Sequence, residues 1–175
     1  MELHLRSSPV IYLFIGLICG SIFSFVVDPF FFPQSAVFSP HAESEIISLI
    51  DSARSTLDIE MYVFTSQAVR DALKRANDRG VLVRIIIERR VESSNQFTIF
   101  NELQSYGIAA RWASSEYTLT HAKFVIVDGK RLLVGSHNFS NNALRDNREA
   151  SVILSSSSLI ADFERVFEED WIKAT

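Results

Sequence analysis

Between Glu43 and Ile172 the hydrophobic spacing switches repeatedly between the period of a helix and that of a strand, and this limits the possible folds more than any other feature. Glu43 to Leu57 sets Ile46, Leu49, Ile50, Ala53 and Leu57 on one helical face. Gln67 to Arg79 does the same with Val69, Ala72, Leu73 and Ala76, and Gly80 supplies a stop. Asp58 to Phe64 alternates as a strand, with Tyr62 and Phe64 expected in the core. Val81 to Ile87 is nearly unbroken β-branched sequence, as in a strand covered on both faces. A third helix is expected over Asn95 to Tyr106 and a short strand over Ile108 to Trp112. Strands Ala122 to Val127 and Arg131 to Val134 flank a hairpin turn at Asp128-Gly129-Lys130. A strand at Glu149 to Leu154 and a helix at Leu159 to Ile172 complete the pattern, which predicts an α/β domain with a mixed β-sheet flanked by helices.

The stretch ahead of this domain has a different character. Residues 10–27 contain no charge and end at Asp28-Pro29. As a helix they would reach about 27 Å, near the lower limit for crossing a bilayer core. The segment 1–35 is therefore expected to be an N-terminal hydrophobic helix that anchors the chain in a membrane, with residues 36–175 forming the globular domain. A cleaved signal followed by secretion is the alternative, but no small-x-small cleavage site is convincing. Arg6 and the amino terminus favour a cytoplasmic N-terminus, which places the domain on the non-cytoplasmic side.

Composition narrows the function. The lone cysteine, Cys19, lies inside the apolar run, so an internal disulfide and a Cys-rich zinc site are excluded. Lys and Arg number 17 against 21 Asp and Glu, a net charge of −4, which argues against a chain coated in basic charge. Local basic clusters remain: Arg84, Arg89 and Arg90 at the end of a strand, and Lys130, Arg131, Arg145 and Arg148 around the stretch that carries the chemistry. If two copies met there, the clusters could line a groove for a polyanion.

That stretch is His121-x-Lys123, Asp128, and then Gly135-Ser136-His137-Asn138. Alternation along a strand puts His121 and Lys123 on one face. An imidazole can attack phosphorus while an ammonium offsets charge on the phosphoryl oxygens. Ser136 and Asn138, returned by the hairpin, can bind phosphate oxygens. Asp128 falls at the hairpin corner, as an orienting or turn-stabilising group. His137 alternates out of phase, as a residue behind the site or on the surface, and His41 follows Pro40 as a capping or surface residue.

The spacing H-x-K-x4-D-x6-G-S-x-N resembles the signature of the phospholipase D superfamily, and the resemblance covers the domain. Residues 53–65 and 72–84 resemble its helix-to-strand passages, and Asn147-Arg148-Glu149 a further element. The resemblance implies a phospholipase D-like α-β-α sandwich and a metal-independent phosphodiesterase without cofactor. It assigns catalytic roles to His121, Lys123, Asp128 and Glu149, with His121 as nucleophile, or as acid in a partner site. Lys123, Ser136 and Asn138 would bind the phosphate, and Glu149 would accept a hydrogen bond from the second nitrogen of His121. Such chemistry uses two histidine motifs, and this sequence has one; His4, His41 and His137 stand in no H-x-K. A homodimer with one site on the two-fold axis is therefore expected. Nucleic acid is the leading expected substrate, cut by a nonspecific endonuclease, since no signature of a long lipid-chain pocket is evident. A phospholipase or cardiolipin hydrolase acting on membrane phospholipid is the alternative, and a non-catalytic phosphate-binding module is the third.

Overall fold

The computed structural model describes residues 34–91 and 95–175. The apolar run of residues 10–27 lies outside them; among the described residues no helix is long and apolar enough to cross a membrane.

The strands are β1 (Ser35–Phe38), β2 (Thr56–Met61), β3 (Leu82–Ile87), β4 (Ala109–Trp112), β5 (Lys123–Val127), β6 (Arg131–Gly135) and β7 (Ala150–Leu154). The helices are α1 (Ala42–Asp51), α2 (Gln67–Asp78), α3 (Gln96–Ser105) and α4 (Ser157–Lys173), with a π-helical turn at Asn142–Asp146. One seven-stranded sheet has the order β1-β7-β6-β5-β2-β3-β4. β2, β3 and β4 are parallel, and the remaining pairs are antiparallel.

Alternation along the strands divides the core into two layers. Leu57, Ile59 and Met61 of β2, Val83, Ile85 and Ile87 of β3, and Val125 and Val127 of β5 are buried with Ile46, Leu49 and Ile50 of α1, Val69 and Leu73 of α2, and Ile99 and Leu103 of α3. Ile86, Phe124, Ile126 and Leu132 form the opposite layer with Ile160 and Phe167 of α4. Full burial of each large apolar side chain contributes about 1.5–3 kcal/mol. On this second face β2 presents Asp58 and Glu60, so the layer under α4 is partly acidic.

Several boundaries differ from the sequence reading, among them β2, which runs Thr56–Met61 and not Asp58–Phe64. The first helix stops at Asp51, not at Leu57. Ser52 Oγ donates to the Leu49 carbonyl at 2.5 Å, and the N–H groups of Arg54, Ser55 and Thr56 are taken by the carboxylate of Asp128. A bond from 72 or more residues away ends the helical periodicity and releases Leu57 to the sheet. Another difference is β1, which begins at Ser35, so the domain boundary expected at residue 36 falls within it.

The topology brings three strand ends together. β5 runs antiparallel to β2, so Lys123 at the start of β5 pairs with Met61 at the end of β2. β6 returns beside β5 and ends at Gly135, paired with Ser151. A Cβ at Gly135 would collide with both the side chain and the backbone of Ser151, so only glycine fits. The motif residues gather at this end of the sheet.

Candidate active site

His121 lies two residues before Lys123, the first residue of β5. The Lys123 ammonium is 3.3 Å from each ring nitrogen of His121 and donates to the His121 carbonyl oxygen at 2.8 Å. Tyr62 lies beside both, with its ring centroid 4.5 Å from that of His121 and 5.2 Å from Lys123 Nζ. The core position expected for Tyr62 is therefore incorrect. The chain has passed the end of β2, and the tyrosine ring supports the motif residues. Phe64 is fully buried against Phe139, with centroids 5.7 Å apart.

The segment after β6 runs beside the chain leaving β2. Phe139 N–H donates to the Val63 carbonyl at 3.0 Å, and Val63 N–H donates to Asn138 Oδ1 at 3.2 Å. With Oδ1 occupied, the amide nitrogen of Asn138 is the group it offers to a phosphate oxygen. Ser136 is used differently from expectation. Its hydroxyl donates to Glu149 Oε2 and accepts from Ala150 N–H at 3.1 Å, so its one proton is committed to Glu149 and not free for phosphate.

His137 is 2% exposed and belongs to the interior, not to the surface. Its Nε2 lies 3.0 Å from Ser39 Oγ and its Nδ1 2.6 Å from Ser151 Oγ. Ser39 Oγ donates its proton to the Ala143 carbonyl, so it accepts from Nε2–H, and Ser151 donates to the bare Nδ1. This hydroxyl pair fixes the neutral tautomer. Burial lowers the pKa of His137, with the charge of Glu149 opposing it. His41 occupies the N-cap position of α1 and makes no side-chain capping bond.

Glu149 accepts from Ser136 and, at 2.9 Å, from Asn147 Nδ2, so the bond expected from His121 is replaced within the chain by these two. The Ser136 bond, against a burial penalty and with help from Asn147, holds the carboxyl below its ordinary range. Burial lowers the pKa of Lys123 and the charge of Glu149 opposes that shift. Asp128 sits apart, at the opposite end of β5, about 16 Å along the strand from Lys123. It is a structural member of the motif and is removed from the catalytic set. Burial alone would raise its pKa, but the N–H groups of Thr56, Ser55 and Arg54 bring it down to about 2.

His121, Lys123, Gly135, Ser136, Asn138 and Glu149 line one hollow of 460 Å³. It adjoins a trough of 610 Å³ that shares His121, Lys123 and Gly135 and is walled by Ala122, Phe124, Val134, Phe163 and Val166. No residue pattern had indicated this apolar trough, because its walls come from β5, β6 and α4 and join only in the folded chain. Glu60, Tyr117 and Asp170 also line it, and sequence reasoning missed all three. The available signal was two acids, Asp58 and Glu60, on one face of an otherwise apolar strand.

Part of the basic clusters is paired within the chain. Arg84 binds Asp58 and Glu168, both at 2.6 Å. Arg90 binds Glu88 at 2.7 Å and also donates to the carbonyls of Tyr117 and Ser114. Arg145 pairs with Glu43 at 2.7 Å, and Arg131 donates to Ser52. Three of the seven cations expected to line the groove, Arg84, Arg90 and Arg145, are thus bound to carboxylates. Among the described residues, no group of three or more His, Cys, Asp and Glu side chains could hold a metal ion.

Residues 46–171 match the family described as Cardiolipin synthase, PLD-like domain. Mitochondrial cardiolipin hydrolase of Chlamydomonas reinhardtii is 32% identical over 133 residues, covering 76% of this chain and 59% of the relative. That of Mus musculus is 33% identical over 137 residues, covering 74% and 61%. The chain thus spans less than two thirds of the length of these relatives. Among solved structures, the phospholipase D family member Nuc from Salmonella typhimurium superposes with a TM-score of 0.78 at 28% identity, over 82% of this chain and 97% of that one. NucT from Helicobacter pylori gives 0.74 at 24% identity over 82% and 98%, a likeness of fold.

Proposed function

The chain belongs to the phospholipase D-like family, and on that premise we propose that it is a phosphodiesterase in which His121 attacks phosphorus. The observation that carries this reading is the single hollow in which the His121 imidazole, the Lys123 ammonium, the Asn138 amide and the Glu149 carboxylate meet. A ring nitrogen of His121 forms the N–P bond as the P–O bond to the leaving alcohol breaks. The leaving oxygen takes a proton from His121 of a second copy of the chain. Water then attacks phosphorus and gives its proton to that second imidazole, and the N–P bond breaks. Lys123 and Asn138 stabilise charge on the phosphoryl oxygens throughout. Glu149, bound by Ser136 and Asn147, holds a negative charge in the hollow, opposite in sign to the Lys123 ammonium. No metal or cofactor enters the scheme. With one H-x-K per chain, the complete site needs two copies, which supports a symmetric homodimer.

For the substrate, the trough beside the hollow favours a phospholipid. Its apolar walls suit the neighbourhood of a lipid phosphodiester, whereas Arg84, Arg90 and Arg145 are bound to carboxylates within the chain. The name of the relatives, cardiolipin hydrolase, supports this reading. Residues 10–27 would hold the domain against the membrane. The likeness to Nuc, over 97% of that chain, supports nucleic acid as the second reading. A parallel assay with phospholipid vesicles, plasmid DNA and RNA, in EDTA, tests both. Hydrolysis of lipid that vanishes in His121→Asn is expected, and cleavage of nucleic acid alone would reverse the preference.

A further inference from the structure

His121 stands in a segment that the sheet does not hold. Between Trp112, which ends β4, and Lys123, which begins β5, the chain belongs to no strand or helix. The backbone is tied down at Thr120, directly before His121, by Glu88, the residue that follows β3. Glu88 is fully buried, and both of its carboxylate oxygens are occupied. Oε1 accepts from Arg90 N–H and Nε, each at 2.7 Å. Oε2 accepts from Arg90 Nη2 at 2.9 Å and from Thr120 N–H at 2.7 Å. The same guanidinium holds the segment at two more points, the carbonyls of Tyr117 at 2.7 Å and Ser114 at 3.3 Å. Gln96 carries the connection across to the other half of the site. It donates to the Glu88 carbonyl at 2.7 Å and accepts from Phe64 N–H at 2.6 Å, next to Val63, whose N–H holds Asn138.

We propose that Glu88 and Arg90 are positioning residues that fix His121 for its attack on phosphorus. The inference rests on the phosphodiesterase reading and names two residues that serve it from outside the hollow, which neither of them lines. An ion pair with a fully buried carboxylate is a poor way to gain stability, since apolar side chains of similar volume fill such a space at no greater cost. What the pair supplies is direction. Four charge-assisted bonds converge on one carboxylate, and one of them comes from the peptide that leads into the nucleophile. Attack on phosphorus tolerates little error, and a misplacement of about 1 Å costs on the order of 100-fold. The phosphate ligands are held by other means: Lys123 by the pairing of β5 with β2, and Asn138 by Val63. Loosening Glu88 or Arg90 should therefore slow the attack and leave phosphate binding in place.

The test compares Glu88→Gln and Arg90→Ala with the unsubstituted full chain on bis(p-nitrophenyl) phosphate, with melting temperatures measured alongside. In both variants kcat should fall at least tenfold, while competitive inhibition by inorganic phosphate changes less than twofold. The Arg90 side chain is 38% exposed, so a small cation can enter its place from solvent. Guanidinium chloride, kept below concentrations that unfold the chain, should restore part of the kcat of Arg90→Ala and none of that of Glu88→Gln. Ile50→Val, in the core under α1, sets the scale for destabilisation alone, with a lower melting temperature and kcat within twofold. Should Arg90→Ala not fold, Arg90→Lys keeps a charge beside Glu88 and carries the same loss of kcat. Loss of the fold in Arg90→Lys as well would overturn the proposal. So would a kcat within threefold of the parent, a parallel weakening of phosphate inhibition, or no rescue by guanidinium. Hydrolysis by the unsubstituted chain that persists in both variants defeats the positioning role alone. Absence of hydrolysis by the unsubstituted chain defeats the catalytic reading alone. The His121 ring signals in NMR, which should move in Arg90→Ala and return with guanidinium, then still decide the positioning.

Discussion

Asp128 and Thr56 hold each other through two opposed hydrogen bonds. Thr56 N–H donates to Asp128 Oδ1 at 3.0 Å, and Asp128 N–H donates to the Thr56 carbonyl at 3.0 Å. With Ser55 and Arg54 on the same carboxylate, this clasp fixes the start of β2 against the β5–β6 hairpin. The motif aspartate therefore acts on the register of the strands that carry His121 and Lys123, from their far end.

Asp128→Asn keeps a residue that tolerates the left-handed backbone at φ 54° but removes the charge. Urea unfolding should show a loss of about 1–3 kcal/mol, with kcat within a few-fold of the parent. The folded-state pKa of about 2 lies below the ordinary 3.8, so this stabilisation is present above pH 4 and lost as pH falls toward 2. A collapse of kcat at unchanged stability would return Asp128 to the catalytic set.

His137 pins the segment holding Ser136 and Asn138 to Ser39 and Ser151. Its folded-state pKa is below the ordinary 6.5, so the folded protein resists protonation and stability is lost as pH falls through that value. His137→Gln should unfold about 1–3 kcal/mol more easily at pH 8 and show a flatter loss of stability from pH 7 to 5. Melting curves across that range check it.

Glu60 has the opposite sign. Its folded-state value of about 8 exceeds the ordinary 4.5, so the folded protein holds this proton and loses stability as pH rises from 4.5 to 8. Glu60→Gln should therefore gain stability over the parent by an amount that grows with pH, on the order of 1–3 kcal/mol at pH 8.5. A gap that does not change with pH would contradict the burial of this carboxyl.

How far the fold was legible depends on where the determining contact lies. Gly80 ends α2 by its own neighbourhood, with φ at 83° and Val81 N–H on the Ala76 carbonyl, and the local pattern of Gln67 to Gly80 was sufficient. The end of α1 was not legible, because Asp128 decides it from across the sheet. Strand alternation correctly separated Ser136 and Asn138 from His137, but not the two serines that bury His137 or the glutamate that takes the Ser136 proton. Tyr62 has the composition of a core residue and became part of the site only because β2 ends one residue earlier. The trough was invisible since Glu60, Phe124 and Phe163 meet only through the pairing of β2 with β5 and the packing of α4.

If each site takes one His121 from each copy, chains of the parent and of His121→Asn refolded together in varied ratios should lose activity as the square of the parent fraction. A linear fall would show that one chain suffices, and the two-copy site would be abandoned.

The proposed reaction passes through a bond between His121 and phosphorus. The most direct measurement is mass spectrometry of the chain quenched in acid-free buffer during turnover of bis(p-nitrophenyl) phosphate. A p-nitrophenylphosphoryl adduct is expected on the peptide containing His121, absent in His121→Asn, which also lacks turnover. Turnover by His121→Asn, or an adduct on another residue with none on His121, would contradict it.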